Sequence, residues 1–364
     1  MPWDKRSNRR LSVYFIVPAP TGISPGQRFR FEHYLSFLKE NDIEFRISSF
    51  YSLSAWQILY TPGNKIRKVF CVAKGFFRRI IDLLRIRKYS YIYLYREAAP
   101  IGPPFFEWCI SKVLKKKIIY DFDDAIWIPF SSENNKLADR LKSFGKVAKI
   151  CRWSYKVSVG NEYLADFARK YNSTVIVVPT VVNTLAVHNR LQNQLTAKPS
   201  IGWTGTFSTL KYLDMVLPVL QELQLHYQFD FIVIADKDPK LPLKYYHFIK
   251  WSRENEADDL LHFHIGLMPL FYDELSKGKC GFKAIQYMAM GIPAVVSPVG
   301  VNSSIVDDGV SGFICTTSGD WKNKLEILLN SPQLRSTMGA AARDKIEKSY
   351  SVISSSKQFL QLFS

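Results

Sequence analysis

The sequence predicts an α/β protein of two doubly wound domains, each built on a parallel sheet covered by helices on both faces. Three observations lead there. Twelve apolar runs of strand length alternate with helix-patterned stretches from end to end. These runs are apolar throughout rather than alternating, as strands buried on both faces are. A polar, Asn/Gln-rich stretch at 183–200, "NTLAVHNRLQNQLTAKPS", divides them into two sets, has no apolar stripe and reads as a linker.

In the first half the strands are "SVYFIVPA", "EFRISSF", "YIYLY", "KIIYDF", "KVSVG" and "TVIVVP". In the second they are "SIGWTG", "FDFIVIA", "YHFIKW", "HIGLMPL", "AVVSP" and "GFICT". The expected division is 1–185 for the first Rossmann-like domain and 186–350 for the second. An amphipathic helix at 351–364 would pack back toward the first. Two such domains facing each other bind ligands beyond the carboxyl ends of their strands, in the cleft between them.

A chain of 364 residues, 47% apolar, can bury the core that two domains need. Its five cysteines are scattered and without paired spacing, which suits a reducing cytoplasm rather than disulfides or zinc. No apolar run approaches the roughly 20 residues of a spanning helix. The start, "KRSNRRLSVYFIVPAPTG", imitates a signal peptide, but its apolar run is short and broken by Pro18 and Pro20. It reads as a first core strand and loop.

Charge is distributed unevenly. Residues 1–195 hold 32 Lys and Arg against 15 Asp and Glu, while residues 196–364 hold 17 of each, so the whole net charge of +17 sits in the first half. One domain is therefore expected to meet an anionic partner. Residues 65–88, "KIRKVFCVAKGFFRRIIDLLRIRK", carry nine basic residues among phenylalanines, isoleucines and leucines, and "KVLKKK" at 112–117 adds to them. Amphipathic helices with basic flanks suit an anionic membrane surface. The plain alternative is a core helix with solvated charges. Nucleic acid would also answer the charge, yet no recognised module or helix-turn-helix pattern is present.

Residues 278–300, "GKCGFKAIQYMAMGIPAVVSPVG", place a helix from about Gly281, ended by Gly291 and Pro293. Its free N–H groups and positive dipole end would favour phosphate, with Lys279, Phe282 and Lys283 at the head and Gln286 one turn on. Gln286 can donate to and accept from sugar hydroxyls. An ordinary amphipathic helix with solvated Lys and Gln is the bland alternative. His262 and His264 alternate with Phe263 and Ile265 and read as structural strand residues.

In the first half, "VPAPTGISPGQRFRFEHYLSFL" leads from the first strand into a helix and puts Gly26, Gln27 and Arg28 beyond a strand end. "YLYREAAP" ends another strand at Arg96 and Glu97, which would face the cleft or pair with each other. "IIYDFDDAIW" sets Asp121, Asp123 and Asp124 after a third. Two such carboxylates could hold a divalent cation against a diphosphate, or else contact substrate hydroxyls.

The segment "GFKAIQYMAMGIPAVVSPVGVNSSIVDDGVSGFI" resembles the donor site of retaining, family 4 glycosyltransferases of the GT-B fold, known as glycosyl transferases group 1. "SIGWTGTFSTLKYLDMVLPVLQEL" is similar to the first strand, loop and helix of that family's donor domain. "ENEADDLLHFHIGLMPL" is similar to the segment leading into the strand before the donor helix. Members carry two glutamates eight positions apart; here these positions hold Gly278 and Gln286. An Arg and a Lys five positions later usually grip the diphosphate; here they are Thr206 and Lys211.

The resemblance implies a sugar transferred from a nucleotide-sugar donor to a hydroxyl of a glycan or lipid-linked acceptor, as in cell-surface polysaccharide or lipopolysaccharide synthesis. Lys211 and Lys283 would stabilise the leaving diphosphate. Gly205, Thr206, Lys279, Gly281, Phe282 and Gln286 would complete the donor site. Gly26, Gln27, Arg28, Glu97, Asp123 and Asp124 would lie on the acceptor side. It implies no metal and no cofactor, a cytoplasmic protein at the inner face of the membrane, and no nucleic-acid partner. The departures at 206, 278 and 286 keep open a sugar-nucleotide-binding protein without catalysis. A basic membrane or nucleic-acid adaptor is the other alternative.

Overall fold

The computed structural model describes residues 3–4, 9–61, 63–129, 143–196 and 198–364. Residues 5–8 of the basic head and Ala197 of the polar stretch lie outside them. The chain divides into two units, Met1–Pro179 with Ser356–Ser364, and Thr180–Ser355.

Each unit carries a six-stranded sheet in which every pairing is parallel. All twelve apolar runs contain a strand. In the first sheet the spatial order is Glu44–Ser49, Ser12–Val17, Tyr91–Tyr95, Lys117–Phe122, Lys156–Val159, Val175–Val177. In the second it is Tyr246–Lys250, Asp230–Ala235, Ser200–Gly205, Ile265–Met268, Ala294–Val296, Gly312–Ile314. Strand order thus reverses between Ser12–Val17 and Tyr91–Tyr95 in one unit, and between Ser200–Gly205 and Ile265–Met268 in the other. In doubly wound sheets the ligand crevice opens at that reversal, beyond the strands' carboxyl ends.

The inner strands of both sheets are buried because they present apolar side chains to both faces. Ser12–Val17 and Tyr91–Tyr95 are buried along their whole length. Trp203, Leu220, Phe231, Val233, Leu267, Val295 and Trp321 form the core of the second unit. The C-terminal helix Val352–Leu360 ends in the first unit, where Phe359 stacks on Tyr34 with ring centroids 4.2 Å apart.

The polar stretch 183–196 is sewn to the second unit rather than left as a loose connector. Gln194 Nε2 donates to Gly291 O (3.0 Å), Gln192 Nε2 to Phe263 O (3.1 Å), and Arg335 Nη2 to Thr196 O (2.6 Å). Its polar composition, read as a linker, instead supplies partners for backbone groups that would otherwise be buried unsatisfied.

Residues 65–85 form one helix of 21 residues, turned inside out. Its inward face holds Gly75, Arg79 and Asp82. Arg79 donates to Asp82 Oδ2 (2.7 Å), Ala98 O (2.7 Å) and Val17 O (2.8 Å). Asp82 also accepts from Tyr14 (2.6 Å) and Ser48 (2.7 Å), and burial together with that carboxylate pushes the Tyr14 phenol up to about 12. The outward face displays Ile66, Val69, Phe70, Phe77, Ile80 and Leu84, all exposed. The exposed apolar stripe thus points to solvent and the ion pair points in, while Phe76 packs inward with its ring 5.5 Å from that of Phe50.

Candidate active site

The strand Ser200–Gly205 ends at the reversal point of the second sheet, and Thr206 caps the 3-10 helix Phe207–Met215 that follows. Two N–H groups of this loop are already engaged. That of Thr206 donates to Thr209 Oγ1 (3.2 Å) and that of Phe207 to Asp236 Oδ1 (2.6 Å).

Lys211 is exposed, its Nζ 5.3 Å from the Tyr212 ring centroid. Tyr212 accepts from Ser276 Oγ (3.2 Å), and its ring lies 5.5 Å from that of Phe271. The turn bearing Lys211 is thereby tied to the segment that leads to Lys279 and Lys283.

The helix Phe282–Ala289 starts at Gly281, whose φ of 68° is left-handed and favours glycine. A Cβ there would meet Ile305 Cδ1 at 2.0 Å. At the far end Gly291 (φ 69°) lets Ile292 N–H return to Tyr287 O (3.1 Å), the expected glycine stop. Tyr287 fixes the helix to the sheet: its hydroxyl accepts from Thr204 N–H (3.0 Å) and donates to Leu267 O (3.3 Å).

Lys283, half-buried in the first turn, holds its Nζ 4.2 Å from the ring centroid of the fully buried Trp203. Burial, aided by the neighbouring charge of Lys279, lowers its ammonium from the usual lysine range to about 7. An indole face beneath an ammonium offsets part of that desolvation. Gln286, expected to be displayed, is only 2% exposed and donates through Nε2 to Glu256 Oε1 over a long 3.4 Å. One turn below Lys283 it faces the helix Glu256–Leu260.

In the first unit, Gly26 approaches a polar cluster so closely that a Cβ would lie 2.5 Å from the Tyr95 hydroxyl and 2.8 Å from Asp123 Oδ2. Asp123 accepts from Tyr95 (2.9 Å) and from Arg96 Nη2 (2.7 Å), with Asp124 3.6 Å from the same guanidinium. Burial pushes the Asp123 carboxyl up, but Arg96 and Arg30 outweigh it and leave the carboxyl below its ordinary range. Asp121 is buried in an ion pair with Arg30 at 2.5 Å.

Glu97 and Arg96 do not pair with each other: Glu97 takes Lys146 at 2.6 Å, and Arg96 takes Asp123. Gln27 is wholly buried, binding Ala19 O (3.1 Å) and Glu32 Oε1 (2.6 Å), while Glu32 Oε2 accepts from Gly22 N–H (2.7 Å). It shapes the 18–23 loop from within. Arg28 lies over the Phe29 ring at 5.0 Å.

His264 Nδ1 receives Ser200 N–H (3.1 Å), and burial with nearby Arg335 lowers its imidazole to about 4, which fits a neutral structural residue. Trp203, Tyr212, Ser276 and Glu256 were not singled out by sequence reading. A tryptophan and a carboxylate inside segments already resembling a donor domain were the available signals.

The two parallel sheets define the class of protein: this is the GT-B fold of glycosyltransferases. Residues 198–331 match the family model described as Glycosyl transferases group 1, so the second unit carries a glycosyltransferase domain of that type. Among solved structures, a sucrose-phosphate synthase from Thermosynechococcus elongatus aligns with TM-score 0.74 and 14% identity, covering 97% of this chain and 98% of its own. HepE of Anabaena, in complex with UDP, aligns with TM-score 0.64 and 14% identity over 96% and 99% of the two chains. WaaG, a glycosyltransferase involved in lipopolysaccharide biosynthesis, aligns with TM-score 0.62 and 12% identity over 96% and 99%. At such identities the likeness is one of fold. No curated protein sequence matches the chain.

Proposed function

We propose that this protein is a retaining glycosyltransferase that moves a sugar from a nucleotide-sugar donor to a hydroxyl of a glycan or lipid-linked acceptor. The observation that carries the reading is Lys283, seated over Trp203 at the head of the helix Phe282–Ala289, within the segment that matches the group 1 model. The helix N-terminus, Lys283, Lys279 and Lys211 stabilise negative charge as it grows on the leaving diphosphate. Gly281 and Phe282 set the head of that helix, and Gly205 and Thr206 set the turn carrying Lys211. With retention, the acceptor hydroxyl attacks from the face the diphosphate leaves, and the departing phosphate takes its proton.

Charge neutralisation by lysines makes a metal unnecessary for this step. The acidic cluster of the first unit is already neutralised internally, Asp121 by Arg30 and Asp123 by Arg96. In this reading Gly26, Arg28, Asp124 and the Arg96–Asp123 pair meet the acceptor, while Gln27 and Glu97 hold their loops in shape.

Among the described residues no helix is long and apolar enough to cross a membrane. The exposed stripe of residues 65–85 instead supports peripheral docking at the inner face of an anionic membrane. Lys65, Arg67, Lys68, Lys74, Arg85, Arg87 and Lys88 remain outward or half-exposed around it. Phe105, Trp108 and Val113 are exposed on the adjoining helical segment, linked to that helix by Phe76 and Phe106 at 6.0 Å. Of the lysines at 112–117, Lys112 and Lys115 are exposed, whereas Lys116 and Lys117 are half-buried. A lipid-linked acceptor, as in cell-surface polysaccharide or lipopolysaccharide synthesis, would be met at that surface.

The test is a thermal-shift screen of nucleoside diphosphates and their sugars, followed by turnover of the stabilising donor. The reading predicts a rise in melting temperature for one nucleotide family and turnover abolished in Lys283→Ala. Binding without turnover on any glycan or lipid acceptor would favour a non-catalytic nucleotide-sugar binder. No binding at all would overturn the reading.

A further inference from the structure

Resting on that membrane docking, we infer that Arg79 and Glu107 are positioning residues that couple contact with an anionic lipid surface to the acceptor-side loop 96–104. The juxtaposition that carries the inference is at Ala98. Arg79 Nε, from the inward face of the helix Lys65–Arg85, donates to Ala98 O (2.7 Å). Ala98 N–H donates to Glu107 Oε1 (2.8 Å), on the helical segment that exposes Phe105 and Trp108. Each of the two elements that display apolar rings to solvent thus sends a buried charged side chain to one loop residue. Their inward rings, Phe76 and Phe106, lie 6.0 Å apart and pack the two elements together.

The loop begins at Arg96, at the carboxyl end of the strand Tyr91–Tyr95 and beside the reversal of strand order. The φ of Arg96 is 59°, a left-handed conformation that a residue with a side chain keeps only where its surroundings over-determine it. Arg96 N–H donates to Asp121 O (2.8 Å) and its guanidinium to Asp123 (2.7 Å), and charged groups fix the residues after it. Besides Arg79 and Glu107, buried Lys146 donates to Ala99 O (2.9 Å) and pairs with Glu97 at 2.6 Å. Loosening Ala98 lets Arg96 relax to an ordinary φ and draws its guanidinium from Asp123. Lipid seated on the two outer faces favours the clamped arrangement over the relaxed one, because both arms of the clamp belong to the docked elements. A loop needing only a fixed shape could be held by apolar packing, without desolvating Arg79, Glu107 and Lys146.

The experiment is amide hydrogen exchange of the full chain, read at Arg96 by mass spectrometry with fragmentation, in solution and with saturating phosphatidylglycerol vesicles. Phosphatidylcholine vesicles are the control, and sedimentation reads docking. The Arg96 amide is bonded to Asp121 O and not to Glu107, so it reports the clamp from beside it. Wild-type protein should exchange this amide at least about fivefold more slowly on phosphatidylglycerol than in solution, the low end of ordinary coupling between sites. Glu107→Ala should exchange it equally fast in both, with vesicle affinity lowered by at most the wild-type factor, since coupling is reciprocal. Glu107→Gln keeps an acceptor oxygen for Ala98 N–H and should retain the slowing. A side chain that merely braces the fold would give, when removed, faster exchange everywhere and the same slowing on vesicles.

Wild-type protein that sediments with phosphatidylglycerol but shows no slowing, or full slowing in Glu107→Ala, would overturn the inference and leave the docking and the glycosyltransferase reading intact. Should Glu107→Ala fail to fold, Arg79→Lys takes its place. Its ammonium keeps the charge beside Asp82 without the fork that reaches both Val17 O and Ala98 O. Undiminished slowing there would overturn the inference equally. Wild-type protein that does not sediment with phosphatidylglycerol would overturn the docking and the inference together.

Discussion

Replacing Phe70 and Phe77 by serine should release the protein from anionic membranes without unfolding it. The two rings are 61% and 64% exposed on the outward stripe of the helix Lys65–Arg85. A phenylalanine presents about 200 Å², so each ring offers about 120–130 Å² for insertion, or about 3 kcal/mol at 25 cal/mol/Å². Serine keeps little of that, and the pair should weaken partitioning by about 5 kcal/mol, between three and four decades. The folded state loses almost nothing, because exposed substitutions of this kind lie within about 0.5 kcal/mol. Sedimentation with vesicles containing anionic lipid, beside zwitterionic controls and a melting curve, reads both quantities. Wild-type protein should pellet with anionic vesicles and the double variant should stay in solution at an unchanged melting temperature. Equal sedimentation of the two proteins would refute the assignment of the stripe to lipid.

Three further outcomes follow from the same geometry. Lys283 titrates near 7 in the free protein because burial and Lys279 disfavour its charge, so a bound diphosphate must reprotonate it at higher pH. Affinity for a nucleotide sugar should be flat below pH 6 and fall up to about tenfold per pH unit above 7, with proton uptake visible by calorimetry in two buffers. The sugar-bearing form avoids the terminal phosphate that titrates near 6 in free nucleotides. Asp82→Ala leaves the inward Arg79 guanidinium without its counter-charge and should cost about 3–5 kcal/mol by chemical denaturation, with faster amide exchange along the helix Lys65–Arg85. Gly281→Ala imposes a left-handed φ on a Cβ that meets Ile305, so a loss of at least about 1–2 kcal/mol in stability is expected from conformation alone.

Strand positions were legible because runs such as "YIYLY" and "FDFIVIA" are apolar on both faces and too short for helices, as strands of a covered parallel sheet are. The helix bearing Lys283 was legible for a different reason: glycines at 281 and 291 bound it, and the positive φ at Gly291 makes its C-terminal stop. The orientation of residues 65–85 was not. Periodicity shows that a helix has two faces, but the choice of inward face was decided by Arg79 and Asp82 neutralising each other against the carbonyls of Val17 and Ala98.

Glu256 was hidden for a similar reason. It stands in "ENEADD", where nothing in the sequence separates one carboxylate from the next, and packing beside Gln286 buries this one. Gln27 shows the converse, since a polar residue beside a glycine-rich turn can serve the loop's own backbone.

The most direct measurement is a crystal structure of the protein grown with the nucleoside diphosphate that raises its melting temperature most. Charge-assisted contacts of about 2.7–2.9 Å from Lys283 Nζ and Lys211 Nζ to the two phosphates are the predicted result. A nucleotide bound elsewhere, with either lysine turned away from its phosphates, would contradict the account.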